Sequence, residues 1–115
     1  MKTFTPELLD EVTFPDQYWA VLEQGMKSNV QGFDGVAYTY NRKTGTSEQQ
    51  IAGSNLDNAV LIAYAPAEKP KLAVAVVIPE GGFGSWGAAP IARKIFDAYD
   101  QRIGLDGIPK GVPAQ

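Results

Sequence analysis

The sequence predicts an α+β fold: a three-stranded antiparallel meander packed with an N-terminal and a C-terminal helix. Apolar residues recur at helical spacing towards both ends of the chain, and between them lie two short runs rich in valine and isoleucine, bracketed by prolines. The links between the central runs are too short for crossovers, so consecutive strands are expected to pair as antiparallel neighbours.

Residues 1–13 carry no clear pattern. In "FPDQYWAVLEQGMKSNV", Tyr18, Val21, Leu22 and Met26 fall on one helical face, with Pro15 and Asp16 suited to its start. The glycine-punctuated stretch "QGFDGVAY" leads into residues 42–51, which are polar but rich in threonine and read as a strand. "NAVLIAYAP" and "KLAVAVVIP", joined by "AEKP", read as a hairpin of well-buried strands. Their alanines would permit helix, but Pro66, Pro70 and Pro79 favour strand. After "EGGFGSWG", the stretch "AAPIARKIFDAYDQRIG" sets Ile91, Ile95, Tyr99 and Ile103 four apart, with Pro90 in the first turn and Gly104 at the stop. Both helices are expected to cover one face of the sheet, and 105–115 to form a loose tail.

The 115 residues suit a single domain spanning 1–115. Hydrophobic residues make up 44% and charged residues 20%, and the net charge of −3 comes from 10 dispersed basic against 13 acidic residues, so no nucleic-acid footprint is present. The first residues lack the basic flank and apolar stretch of a secretory signal, and no run of 18 apolar residues occurs, so the chain as given reads as soluble. With no cysteine and no histidine, disulfides, thiolate metal sites, cysteine nucleophiles and Ser-His-Asp chemistry are excluded. No metal and no cofactor is expected. Any chemistry must run on lysine, carboxylates, hydroxyls and backbone amides.

Several features read as structural. Phe83 and Trp86 could line a ligand groove, but aromatics beside a helix start are expected to pack on the core. "EGGFG" lacks the lysine of a phosphate-binding loop. Glu7, Asp10 and Glu11, and likewise Asp97 and Asp100, read as solvated faces rather than acid–base pairs. Taken alone, Lys43 to Thr46 would read as a solvated strand or turn, and the whole chain as a non-catalytic α+β binding or structural module.

Four phrases change that reading: "LEQGM" on the first helix, "GVA" at 35–37, "KTGTS" at 43–47, and "AYAPAEKPKLAVAVVIPEGG" running into "GAAPIARKIFDAY". In this order they resemble the class B penicillin-binding proteins, the peptidoglycan D,D-transpeptidases, over roughly residues 14–104. The resemblance implies that Lys43 and Thr44 bind a substrate carboxylate, with the Thr46 hydroxyl able to join. Gly45 would let a substrate backbone lie against the strand, and the Thr46 N–H would be an oxyanion-hole donor. Asn41 and Arg42 depart from the family's usual Ala-Gly, and Arg42 is expected to add bulk and a second charge beside the motif.

The family also uses a Ser-x-x-Lys nucleophile and a Ser-x-Asn motif; Ser28, Ser47, Ser54 and Ser85 begin neither. Both precede Lys-Thr-Gly in the family, so the chain is expected to be the C-terminal part of a transpeptidase domain, inactive alone. The implied parent is membrane-anchored and extracytoplasmic in a bacterium. Its partners would be the peptidoglycan stem peptide, β-lactams and the rest of the domain. The resemblance also implies a neighbouring strand beside "KLAVAVVI" from the N-terminal part of that domain; without it, a homo-oligomer through the sheet edge is expected. The chain alone is expected to form no covalent adduct with any β-lactam, which intact-mass measurement after incubation with a penicillin checks; added mass on any serine contradicts it.

Overall fold

The computed structural model describes residues 2–27 and 32–105. Helix α1 spans Asp16–Lys27, followed by strands β1 (Asn41–Ile51), β2 (Ser54–Ala65) and β3 (Leu72–Ile78), a short helix α2 (Gly84–Gly87) and helix α3 (Ala89–Arg102). The strands form an antiparallel meander in the order β1-β2-β3, as expected from the short connections. β2 begins four residues earlier than its apolar run suggests. Ala52 and Gly53, at φ of 49° and 81°, make a two-residue turn whose twist suits a hairpin, so the polar residues before Ala59 are drawn into the ladder.

Strand alternation divides the sheet into two unlike faces. On one, Ala59, Leu61, Ala63 and Ala65 of β2 are buried, together with Val76 of β3, beneath Ala88, Ala89, Ala92 and Phe96. Small residues on both surfaces let α3 lie close across β2 and β3. Phe33, Tyr38 and Leu105 complete this core. α3 therefore presents a different stripe from the one its isoleucines predict: Ala89, Ala92, Phe96 and Asp100 are buried, while Ile91 and Ile95 stay 40% and 42% exposed and Ile103 is also exposed. Close approach to an alanine-lined sheet favours alanine at the contact over the bulkier isoleucine.

The expectation that both helices cover one face is corrected. α1 buries no residue, and Tyr18, Val21 and Leu22 are exposed. Its last turn reaches the sheet, where Met26 borders an apolar groove of about 480 Å³ with Ile62, Tyr64, Ala73 and Ala75. These β2 and β3 side chains belong to the face opposite α3.

The loop after β3 also differs from expectation, because Phe83 and Trp86 are 64% and 72% exposed. α2 meets the sheet through backbone. A Cβ on Gly84 would lie 2.5 Å from the Val60 carbonyl oxygen and 2.6 Å from that of Gly45, so only glycine fits there and the aromatic rings turn outward. At the far end of α3, the buried Asp100 accepts a hydrogen bond from the Leu105 N–H at 2.7 Å. Asp100 is thus a helix-end anchor rather than a solvated acid. Leu105, expected in a loose tail, is buried; residues 106–115 lie outside the described residues.

Phe96→Ala is expected to cost about 3–5 kcal/mol, whereas Ile95→Ala costs about 1 kcal/mol, in urea unfolding followed by circular dichroism. Equal losses would return the isoleucine stripe to the core.

Candidate functional site

β1 is an outer strand, paired only with β2 among the described residues. Its register is unbroken from Asn41↔Tyr64 to Ile51↔Ser54, so Asn41 and Arg42 do not distort the strand. Lys43 lies opposite Ile62, Thr44 opposite Leu61, Gly45 opposite Val60 and Thr46 opposite Ala59. Lys43 and Gly45 therefore belong to the face away from α3, and Thr44 and Thr46 to the face towards it. Lys43 and Thr46 are exposed and Thr44 is half-buried. The Lys43 ammonium donates to the Thr44 carbonyl at 2.5 Å, which lays the side chain along its own strand.

Arg42 turns the opposite way. Its side chain is buried on the α3 face, with the guanidinium 5.6 Å from the centroid of the Phe33 ring. Burial pushes its pKa down, opposed by Tyr40 and Asp34. The second charge is thus directed away from Lys43, and what it adds is packing under the strand. Asn41, also buried, donates from Nδ2 to the Tyr64 hydroxyl at 2.8 Å, while its Oδ1 finds no hydrogen-bond partner among the described residues.

The segment entering β1 is held through three consecutive residues, Tyr38, Thr39 and Tyr40. The Tyr38 hydroxyl donates to Asp97 of α3 at 2.8 Å, and Asp97 also faces Arg93 at 3.4 Å. The Thr39 hydroxyl donates to Glu68 at 2.6 Å and accepts from the Ala67 N–H at 3.0 Å, joining the segment to the β2–β3 turn. That bond holds the Glu68 carboxyl below its usual range. Tyr40 stacks on Phe33 with ring centroids 4.6 Å apart. None of these supports was apparent from composition or motif; only the period-two alternation of a strand could have separated Arg42 from Lys43 in advance.

A cavity of about 460 Å³ at the β2–β3 turn, bordered by Pro66, Lys69, Lys71 and Leu105, includes none of Lys43 to Thr46. Among the described residues no group of three or more Asp or Glu side chains could hold a metal ion, and no helix is long and apolar enough to cross a membrane.

The penicillin binding protein transpeptidase domain model matches residues 2–97. The chain belongs to the penicillin-binding protein transpeptidase family. It is 32% identical over 108 residues to penicillin-binding protein 2B of Streptococcus pneumoniae, a match covering 84% of this chain and 16% of that protein. Over 48 residues it is 50% identical to the peptidoglycan D,D-transpeptidase MrdA of Haemophilus influenzae, covering 41% of this chain and 7% of that one. Among solved structures, penicillin-binding protein 2B of Streptococcus pneumoniae superposes with a TM-score of 0.71 at 29% identity, covering 88% of this chain and 18% of that chain. Pseudomonas aeruginosa PBP2, solved in complex with WCK 5153, gives 0.70 at 28% identity, covering 96% of this chain and 25% of that one. The transpeptidase segment described here thus spans a quarter or less of the relatives it matches.

Tyr38 has its pKa raised well above the ordinary tyrosine range, first by burial and then by the bond to Asp97. A raised folded-state value favours the neutral phenol, so its stabilisation is complete below the unfolded value near pH 10 and fades as pH climbs further. Tyr38→Phe is expected to cost about 1 kcal/mol at neutral pH. The gap from wild type narrows above about pH 10. Urea unfolding at both conditions measures it, and a constant gap contradicts the assignment.

Proposed function

We propose that this chain supplies the substrate-binding strand of a peptidoglycan D,D-transpeptidase, with Lys43, Thr44, Gly45 and Thr46 as its contribution to the site. The observation that carries the reading is the position of Lys-Thr-Gly on an outer strand, with its lysine exposed and the strand's outer edge unpaired among the described residues. An extended peptide can add to such an edge by backbone hydrogen bonds, and an ammonium on the strand attracts a terminal carboxylate. Gly45 leaves the strand surface open for close approach. The Thr46 N–H serves as an oxyanion donor during acyl transfer.

The nucleophile comes from elsewhere in the domain, because no serine here begins Ser-x-x-Lys. The chain is therefore half of a site. The rest of the transpeptidase domain is its first partner, and the exposed apolar residues of α1 and of the Ile62 and Val77 face support burial against it. β-Lactams occupy the same strand as mimics of the stem peptide, and the complete protein is membrane-anchored and works outside the cytoplasm of a bacterium.

In a complete transpeptidase domain carrying this segment, Lys43→Ala is expected to reduce acylation by a penicillin by about 2–3 kcal/mol of activation free energy. Lys69→Ala, in the β2–β3 turn, leaves it unchanged. Equal acylation rates for the two variants, measured by stopped-flow with a fluorescent penicillin, would remove the role from Lys43.

A further inference from the structure

The cavity of about 460 Å³ at the β2–β3 turn takes its walls from three separate parts of this chain: Tyr38 and Thr39 before β1, the turn itself, and Leu105 after α3. Neither outer strand edge nor the open Ile62 face contributes to it. A concave space of this size with a largely apolar lining is the usual form of a small-molecule site. Ala37, Pro66 and Leu105 supply the apolar part, and Leu105 is fully buried.

The polar groups of the lining divide into engaged and available ones. The Thr39 hydroxyl donates to Glu68 and accepts from the Ala67 N–H, so this pair is turned onto itself. Lys71 uses one of its three ammonium N–H donors on the Gly104 carbonyl at 3.1 Å, and Lys69 makes no hydrogen bond or ion pair among the described residues. A smaller neighbouring hollow of about 290 Å³ shares Thr39 and Glu68 and adds Lys27. Three of the ten basic residues of an acidic chain are thus gathered around a single carboxylate, an excess of two positive charges. Tyr38 and Glu68, both in the lining, have pKa values displaced from the ordinary, the first upward by burial and the second downward by the Thr39 hydroxyl. Such displacements concentrate at ligand sites.

We propose that this cavity binds a small amphipathic anion, a carboxylate carried on an apolar ring or chain. The carboxylate meets Lys69 and Lys71, and the apolar body lies against Ala37, Pro66 and Leu105. A bare inorganic anion would leave the apolar lining in contact with water, and a dianion would meet the Glu68 carboxylate on the same rim. The site contains none of Lys43 to Thr46, so it stands or falls independently of what β1 binds.

Phenylbutyrate and its neutral amide, phenylbutyramide, test the proposal by NMR titration of the isotope-labelled chain. The carboxylate is expected to shift the amides of residues 37–39, 67–71 and 105 saturably, with a Kd of about 1 mM. The neutral amide is expected to bind about fivefold more weakly. Glutamine keeps a donor and removes only the charge, so Lys69→Gln and Lys71→Gln are each expected to weaken the carboxylate about threefold and leave the amide unchanged. Lys94→Gln, at an exposed position on α3 outside the cavity, alters neither. If a lysine variant fails to fold, the comparison of ligands on the wild type decides. Absence of saturable shifts, shifts centred on the Ile62 face, an amide bound as tightly as the carboxylate, or the same shifts produced by inorganic phosphate at the same concentrations would each overturn the site.

Discussion

The β1–β2 register is the constraint on which the rest of this molecule depends. Eleven consecutive pairs fix which side chains of β1 pass to each face, and a slip of one residue would exchange every one of them. In the observed register Arg42 is buried against Phe33 while Lys43 is exposed on the opposite face. The alternative would bury the lysine in an apolar core at heavy desolvation cost and expose the arginine. The Arg42 contact and the Asn41–Tyr64 bond therefore hold the strand in place as well as being held by it. Asn41 and Arg42 serve as its register marks.

The helix and strand order, the antiparallel pairing and the outer position of the Lys-Thr-Gly strand were legible in the sequence, because hydrophobic period and proline placement report local structure directly. What was not legible depended on contacts between distant residues. The isoleucines of α3 have the right spacing for a core stripe, yet the alanine-lined sheet accepts Ala92 and Phe96 instead. Trp86 reads as a packing residue until Gly84 is seen against the backbone of Val60 and Gly45. Asp100 looks like any surface acid on a helix, and its role appears only when the chain turns back to bring the Leu105 N–H to it. For the candidate site, the residue types were readable, but the supports that aim the strand were not, since Tyr38 and Thr39 bind partners distant in sequence, on α3 and in the β2–β3 turn, and Tyr40 stacks on Phe33.

Apolar side chains are unequally shared between the sheet's two faces and their coverings. The α3 face is closed by small and aromatic residues. The Ile62 face and the apolar stripe of α1 remain open, and exposure on this scale is characteristic of surfaces that belong against other protein. The chain spans a quarter or less of the relatives it matches, and it forms one well-built face and leaves the other open.

The Ala52–Gly53 turn has a consequence of its own. β3 pairs only as far as Ala59, and the chain after it ties back to Asn58 and Asp57 through Glu80 and Gly82. Beyond Asp57, the hairpin continues as a two-stranded ribbon with no third strand among the described residues, and its β1 half is exposed throughout. Such a ribbon contributes little to global stability and can fray without disturbing the ladder at Lys43. Its tip is the part of the sheet best able to absorb changes in length, so natural insertions, proteolytic nicks or an attached fluorophore are accommodated there at least expense to the strand that carries the candidate site.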